Sequence, residues 1–515
     1  MKKCLIALML VLALLLCACS KKEVVPSGND NSGTTVESGK KDDLENQNDD
    51  EDKEDDLVKE SKKLTEAEFL TLREKLLAEE DVELPEALDL RDYKLTTRAK
   101  DQGQYVTCWI FGTTGAIESN ALVNGYGEFD FSEYQLAYLS QNIPEKQDAM
   151  IAGEGFVAEG SWYDLPGRPA FVVGAFMKGY GPALEDDYPY KNIMKTLSED
   201  AKDDAAFLGD SCYMVSAADT EKIKELVIKN GGIAVGLDAT KWDDYGGVID
   251  MNTGAVYNST GTTIDHYLTL VGWDDNYSRD NFYFPKRPEG DGAWIIKNSW
   301  GMGVGDSGYL YVSYYDKSFF ATNQLYSFTL MPKDSYDYQY QYDGGFGAGV
   351  LDNLTGTAMT FKVKEDETMT GVRVYPLPDK DGAFEGVKAT VKVYKGIASA
   401  EAIEESKVIY TSEYVIKYAG YQTLKFEKGL NINKDDTILV TVTFDKPLYY
   451  AYDCPYKGQE VDQWDIARKY HVVSTANLNE TFMYLTSDNA WADCAVKFKD
   501  SNMCMKVTVK KGHNK

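Results

Sequence analysis

The sequence predicts an α+β chain in which a domain of mixed helices and strands is followed by an all-β sandwich. Three observations carry this expectation. A helix-compatible run from Ile110 to Val123 follows a cysteine, and an alternating, strand-like segment surrounds His266. From about residue 331 the text turns into short alternating strands rich in Tyr and Thr. The 515 residues have room for roughly three units, each able to bury a core. Lys and Arg number 54 against 83 Asp and Glu, a net charge of −29, which excludes nucleic acid as a partner because phosphates need clustered cations. Histidine-dependent chemistry has three candidates, His266, His471 and His513.

Residues 1–19, MKKCLIALMLVLALLLCAC, have a basic start, an apolar stretch from Leu5 to Leu16 and then small residues, the layout of an export signal. The ending Leu16-Cys17-Ala18-Cys19 resembles the lipobox of bacterial lipoproteins, which implies lipid on Cys19. An ordinary signal or a single membrane anchor is the alternative. Either reading places the protein outside the cytoplasm, and the lipid would be its sole tie to a membrane. Residues 20–63 are polar, with ten acids against one base between 42 and 56; such self-repulsion predicts a disordered acidic stalk or plain linker. Thr65-x-x-Glu68 is a capping box, and Phe69, Leu72 and Leu76 follow at helical spacing. They predict a helix within 64–84, either propeptide-like and near the active cleft or simply connecting.

Cys108 opens the helical run Ile110–Val123. At a helix N-terminus the dipole favours a thiolate, and a histidine holding the proton would complete a nucleophilic ion pair. Gln102, six residues earlier, offers a side-chain amide that could join the Cys108 backbone N–H in stabilising an oxyanion.

Several motifs in order resemble the papain family of cysteine proteases. They are Leu84-Pro85, Asp89-Leu90-Arg91, Asp101-Gln102-Gly103, Cys108-Trp109-x-Phe111, Phe131-Ser132-Glu133-Tyr134-Gln135-Leu136 and Glu185-x-x-Tyr188-Pro189-Tyr190. After them come Asp265-His266-Tyr267, Asn298-Ser299-Trp300-Gly301 and Gly305-x-x-Gly308-Tyr309. The resemblance implies a two-lobed peptidase over 85–330, a helical lobe plus a β-barrel-like lobe. Cys108 would be the nucleophile, His266 the general acid and base, Asn298 its orienting partner and Gln102 the oxyanion donor. Trp300 would cover the His266–Asn298 bond and line the substrate cleft, and Gly160 would let an extended peptide approach. There are departures. Tyr105-Val106-Thr107 stands where the family has Cys-Gly-Ser, so the disulfide that pins this loop is missing, and Val304 replaces a tryptophan. The expected substrate is a polypeptide, with no cofactor required for catalysis.

In 331–515, candidate strands Ala358–Val363, Val372–Tyr375, Val387–Tyr394, Leu424–Phe426, Ile438–Phe444 and Met503–Val509 predict an antiparallel sandwich. Together with Tyr338–Gly345 (YQYQYDGG), the arrangement resembles surface-layer-processing cysteine proteases of Gram-positive bacteria, which carry a lectin-like module. That resemblance implies a cell-wall glycan as a second partner and structural Ca²⁺ in the C-terminal domain, with no ligands identifiable. Cys212, Cys454, Cys494 and Cys504 are expected as isolated thiols in strands, with a Cys494–Cys504 disulfide as the alternative, and the protein as a monomer. A surface adhesin on a peptidase-like fold is the rival functional reading.

Overall fold

The computed structural model describes residues 61–513 except 145–146, 148, 243–247, 251–252, 262, 284–285, 322–323 and 458–469. The export-like segment, Cys19 and most of the acidic stretch lie outside the described residues. The first described element is the helix Glu66–Leu77, opened by Thr65: its hydroxyl accepts from Glu68 N while the Glu68 carboxylate accepts from Thr65 N at 2.8 Å, the reciprocal cap expected. Phe69 and Leu76 are buried, and Phe69 stacks on Tyr93 with ring centroids 4.6 Å apart. Arg73 donates to Asn124 Oδ1 at 2.9 Å. Asn124 closes the helix Cys108–Val123 at the end away from Cys108, a helix length of about 24 Å. The helix is therefore docked at the far end of the Cys108 helix, a place that suits the connecting alternative better than a propeptide-like one beside the cleft.

One twelve-stranded sheet runs through both halves of the chain. Its C-terminal part is Tyr338–Gln341, Met505–Lys511, Glu367–Val374 and Ala419–Ile432, and its N-terminal part continues through Phe207–Ser216, Gln324–Pro332, Ile233–Leu237, His266–Asp274, Ala293–Lys297 and Tyr309–Ser313. The join is antiparallel, with Ala419, Gly420 and Tyr421 opposite Met214, Tyr213 and Cys212. Gly420 is required there: a Cβ would collide with the Cys212 carbonyl, and its φ is +106°. A second, eight-stranded sheet of the C-terminal half packs on this one to make the expected sandwich. All six predicted strands fall in or beside real ones, for example Val387–Lys395 and Thr437–Asp453.

The Tyr338–Gly345 motif is the seam between the two halves. Lys506 Nζ meets Asp343 Oδ1 at 2.6 Å, both side chains fully buried, and Gly344 packs so close to Gly155 that a Cβ would lie 2.6 Å from its backbone nitrogen. Arg373, also fully buried, donates from Nη2 to Gly209 O at 2.9 Å and lies over the Tyr336 ring. The strand Tyr470–Val473 pairs antiparallel with Gly155–Ala158, so His471 is a strand residue at the seam, its Nδ1 3.6 Å from Glu159. None of the five described cysteines forms a disulfide, as expected, but of Cys212, Cys454, Cys494 and Cys504, Cys212 alone lies within a strand, and Cys494 opens a short helix. Between the strands His266–Asp274 and Ala293–Lys297, the connecting segment is pinned by buried Phe282 and by Tyr277 stacked on Tyr311. Among the described residues no helix is long and apolar enough to cross a membrane, and no group of three or more His, Cys, Asp or Glu is arranged to hold a metal ion.

Candidate active site

The helix Cys108–Val123 is buried on nearly every side, with only Leu122 half-buried. Cys108, Gly112 and Gly115 share one face at i, i+4 and i+7 spacing. That face presses on the strand His266–Asp274: a Cβ on Gly112 would sit 2.8 Å from Leu268 N, and one on Gly115 would overlap Thr269 Oγ1. Thr269 Oγ1 in turn donates to Gly112 O at 2.9 Å. Two glycines thus let helix and strand approach at backbone distance, and the approach carries the Cys108 thiol to the His266 imidazole, with which it hydrogen-bonds.

The motifs on either side hold this pair in place. Ser132 caps the helix Glu133–Gln141, and Glu133 accepts from Thr114 Oγ1 at 2.7 Å and from Lys100 Nζ at 2.9 Å, which ties that helix to the Cys108 helix. Asp89-Leu90-Arg91 extends along the histidine strand, Asp89 opposite Gly272, and Arg91 bridges Asp89 and Asp306. The glycine-rich turn brings Gly308, at φ +90°, under the asparagine, whose backbone N–H donates to Gly308 O at 2.9 Å.

Asn298 and His266 meet directly, Nε2 to Oδ1 at 2.8 Å. An amide oxygen can only accept, so His266 Nε2 carries the hydrogen and Nδ1 is left for the sulfur. Asn298 Oδ1 also accepts from Ser299 N at 2.7 Å, which fixes the orientation of the amide. Trp300 lies nearly flat on the imidazole, with centroids 4.8 Å apart and an interplanar angle of 26°. It is placed to shield the His266–Asn298 bond. Trp242, which sequence reasoning missed, packs against both rings, edge-on to His266 at 5.7 Å and to Trp300 at 5.6 Å. Nothing in the spacing of Lys241-Trp242 relates it to His266, so no sequence signal could have found it.

Burial works against a charged His266, but the hydrogen bond and charge of Cys108, the Asn298 amide and nearby Asp265 outweigh it and raise the imidazole pKa above its ordinary value. Asp265 itself is pushed up to about 6, chiefly by burial, while it accepts from Ala239 N at 2.6 Å. A raised imidazolium pKa carries a sign: activity that needs the charged pair persists to higher pH than an ordinary imidazole allows and is lost as pH rises through the shifted value. Asn298→Ala removes one raising interaction. It is expected to move the alkaline limb of kcat/KM to lower pH and to lower the plateau by about tenfold or more, read from a pH–rate profile.

The Gln102 amide is oriented from both ends: Oε1 accepts from Ser299 Oγ at 2.7 Å and Nε2 donates to Tyr105 O at 3.0 Å. One N–H remains for a ligand. At the N-terminal end of the Cys108 helix, Ile110 N and Phe111 N turn back to Thr107 O at 3.0 and 3.3 Å, and the positive end of the helix dipole falls at the sulfur-bearing residue. The missing disulfide is replaced by packing. Val106 N donates to Tyr163 O at 2.9 Å, and Tyr105 packs edge-on to Tyr163 and Tyr190. Three residues before Tyr163, Gly160 is exposed at φ +110° with open space where a Cβ would be.

Thiol, imidazole and carboxamide, joined in that order across a helix and two strands, belong to the class of cysteine-dependent peptidases. Residues 84–328 match the model of the papain family cysteine proteases and residues 338–508 that of a lectin-like domain. The first segment is thus a papain-family peptidase domain and the second a lectin-like domain. A viral cathepsin of Heliothis zea nuclear polyhedrosis virus is 30% identical over 232 residues, 45% of this chain and 53% of that protein. Cathepsin S of Bos taurus is 26% identical over 238 residues, 45% of this chain and 61% of that one. The chain thus spans little more than half the length of the viral cathepsin. Among solved structures, the cysteine protease and lectin-like domains of Cwp84, a surface layer associated protein of Clostridium difficile, share the fold. The TM-score is 0.66 at 22% identity, over 88% of this chain and 98% of that one.

Proposed function

We propose that the protein is an endopeptidase that cleaves peptide bonds through a thioester on Cys108. The observation that carries this reading is His266 hydrogen-bonded at once to the Cys108 thiol and to Asn298. The thiolate attacks the substrate carbonyl carbon, and the resulting oxyanion is held by Gln102 Nε2 and the Cys108 backbone N–H. The His266 imidazolium donates its proton to the departing amine as the C–N bond breaks, leaving the acyl group on sulfur. His266 then takes a proton from water, hydroxide adds to the thioester, and collapse releases the acid and restores the thiolate. No step calls on a group beyond these side chains.

The substrates, on this reading, are extracellular or cell-surface proteins, and the protein is held outside the cytoplasm by lipid on Cys19. The export-like N-terminus supports this, as does the likeness to Cwp84, a surface layer associated protein. The lectin-like domain would bring the peptidase to cell-wall glycan. The test is to incubate purified protein with a denatured proteome and sequence the new N-termini. Internal cleavages that a peptidyl epoxide suppresses are expected; retention on cell-wall glycan with no cleavage would favour the adhesin and overturn the peptidase.

A further inference from the structure

The motif Glu185-x-x-Tyr188-Pro189-Tyr190 has no part in the reaction as written, yet its last residue reaches the oxyanion loop. Tyr190 Oη donates to Gln102 O at 2.8 Å and lies 2.6 Å from Thr107 Oγ1. The phenol has one hydrogen and the carbonyl must receive it, so the Thr107 hydroxyl is the donor in the second bond. A directional chain results, from Thr107 to Tyr190 to the Gln102 carbonyl. Its two ends are the residue that bears the side-chain oxyanion donor and the residue that precedes Cys108. Tyr190 is itself fixed: its backbone N–H donates to Glu185 Oε1 at 2.7 Å, and its ring packs edge-on to Phe111 at 4.9 Å.

We infer that Tyr190 is a positioning residue for the oxyanion site, tying the Gln102 and Cys108 ends of the loop together and so setting the distance between the two donors. This rests on the reading of Gln102 and the Cys108 N–H as those donors. The loop needs such a tie because no cysteine stands at position 105: Gln102 is anchored outward to Ser299 and Val106 N to Tyr163 O, whereas the Tyr190 hydroxyl bonds both Gln102 and Thr107 and so spans the loop. Burial pushes the Tyr190 phenol up, so it stays a neutral donor across the working range. The Thr107 hydroxyl, which the serine of the family pattern would also supply, is the far end of the tie.

The experiment compares Tyr190→Phe, Thr107→Val, Thr107→Ser and Gln102→Ala with the parent chain, measuring kcat and KM for a peptide substrate and the rate at which iodoacetamide alkylates Cys108. Alkylation forms no oxyanion, so it reports the thiol–imidazole pair alone. Tyr190→Phe keeps the ring packing and is expected to lower kcat about tenfold, less than the loss of a whole oxyanion donor. KM should stay within about twofold and alkylation should be unchanged. Thr107→Val should reproduce the defect and Thr107→Ser should restore the parent rate. In a Gln102→Ala background the Tyr190→Phe effect should shrink, because the donor it positions is gone. Hydrolysis unchanged in Tyr190→Phe, or hydrolysis and alkylation falling together, would overturn the inference. If Gln102→Ala alone leaves kcat unchanged, the oxyanion reading beneath it fails instead.

Discussion

Cys108→Ala is expected to lower peptide hydrolysis by about four orders of magnitude or more while leaving the fold intact. The size follows from the setting of Cys108 at the start of a long helix beside an imidazole, which no other described cysteine shares. Cys212 and Cys504 are fully buried, and burial pushes their thiols far up; Cys494 is buried and raised for the same reason. None of them begins a long helix beside an imidazole. The fold should survive because alanine is smaller than cysteine, favours helix and leaves the Gly112–Leu268 approach untouched. The melting temperature should stay within about 3 °C of the parent. Residual hydrolysis within tenfold of the parent would remove Cys108 from the chemistry.

Lys506→Met is expected to be the most destabilising substitution at the seam between the two halves. Lys506 and Asp343 are both fully buried at 2.6 Å, and the ammonium also donates to Asp343 O at 2.7 Å. Removing the cation strands a carboxylate already close to buried Asp453, which burial and Asp343 together push up to about 7. The expected cost is about 3–5 kcal/mol, read from urea denaturation at neutral pH. Adding Asp343→Asn should recover most of the loss, because no uncompensated charge remains. Since one sheet and one apolar cluster run through both halves, the midpoint seen by tryptophans of the peptidase domain should fall together with that of Trp491 in the sandwich. A loss below 1 kcal/mol, or separate midpoints, would mean that the seam does not couple the halves.

The parts of this arrangement that were legible in the sequence are those whose chemistry is local. Cys108 before a helical run, His266 on a strand and Asn298 before Ser-Trp-Gly each announce a residue type in a fixed backbone setting, and their order along the chain matches a known family. The strand Val387–Lys395 was equally readable, because its inward residues alternate with exposed ones. The strand Val408–Ile416 was not. It pairs on one side along the sheet edge, and Ile409 and Val415 face solvent at 41% and 60% exposure, so apolar residues on both faces blur the period of two. Contacts between distant segments left no local mark either. Tyr470–Val473 reaches back some 300 residues to pair with Gly155–Ala158, and the Tyr190 hydroxyl crosses 88 positions to Gln102. The missing cysteine at 105 was visible, but the tyrosine cluster and hydrogen bonds that stand in for it needed coordinates.

The most direct measurement is the pH dependence of Cys108 alkylation by iodoacetamide, mapped to its peptide by mass spectrometry in the parent and in His266→Ala. A thiolate held by an imidazolium reacts rapidly well below the ordinary thiol pKa of about 8.5, and loss of the imidazole should return the profile to that range. Profiles that coincide in the two proteins would contradict the pairing on which the proposed reaction depends.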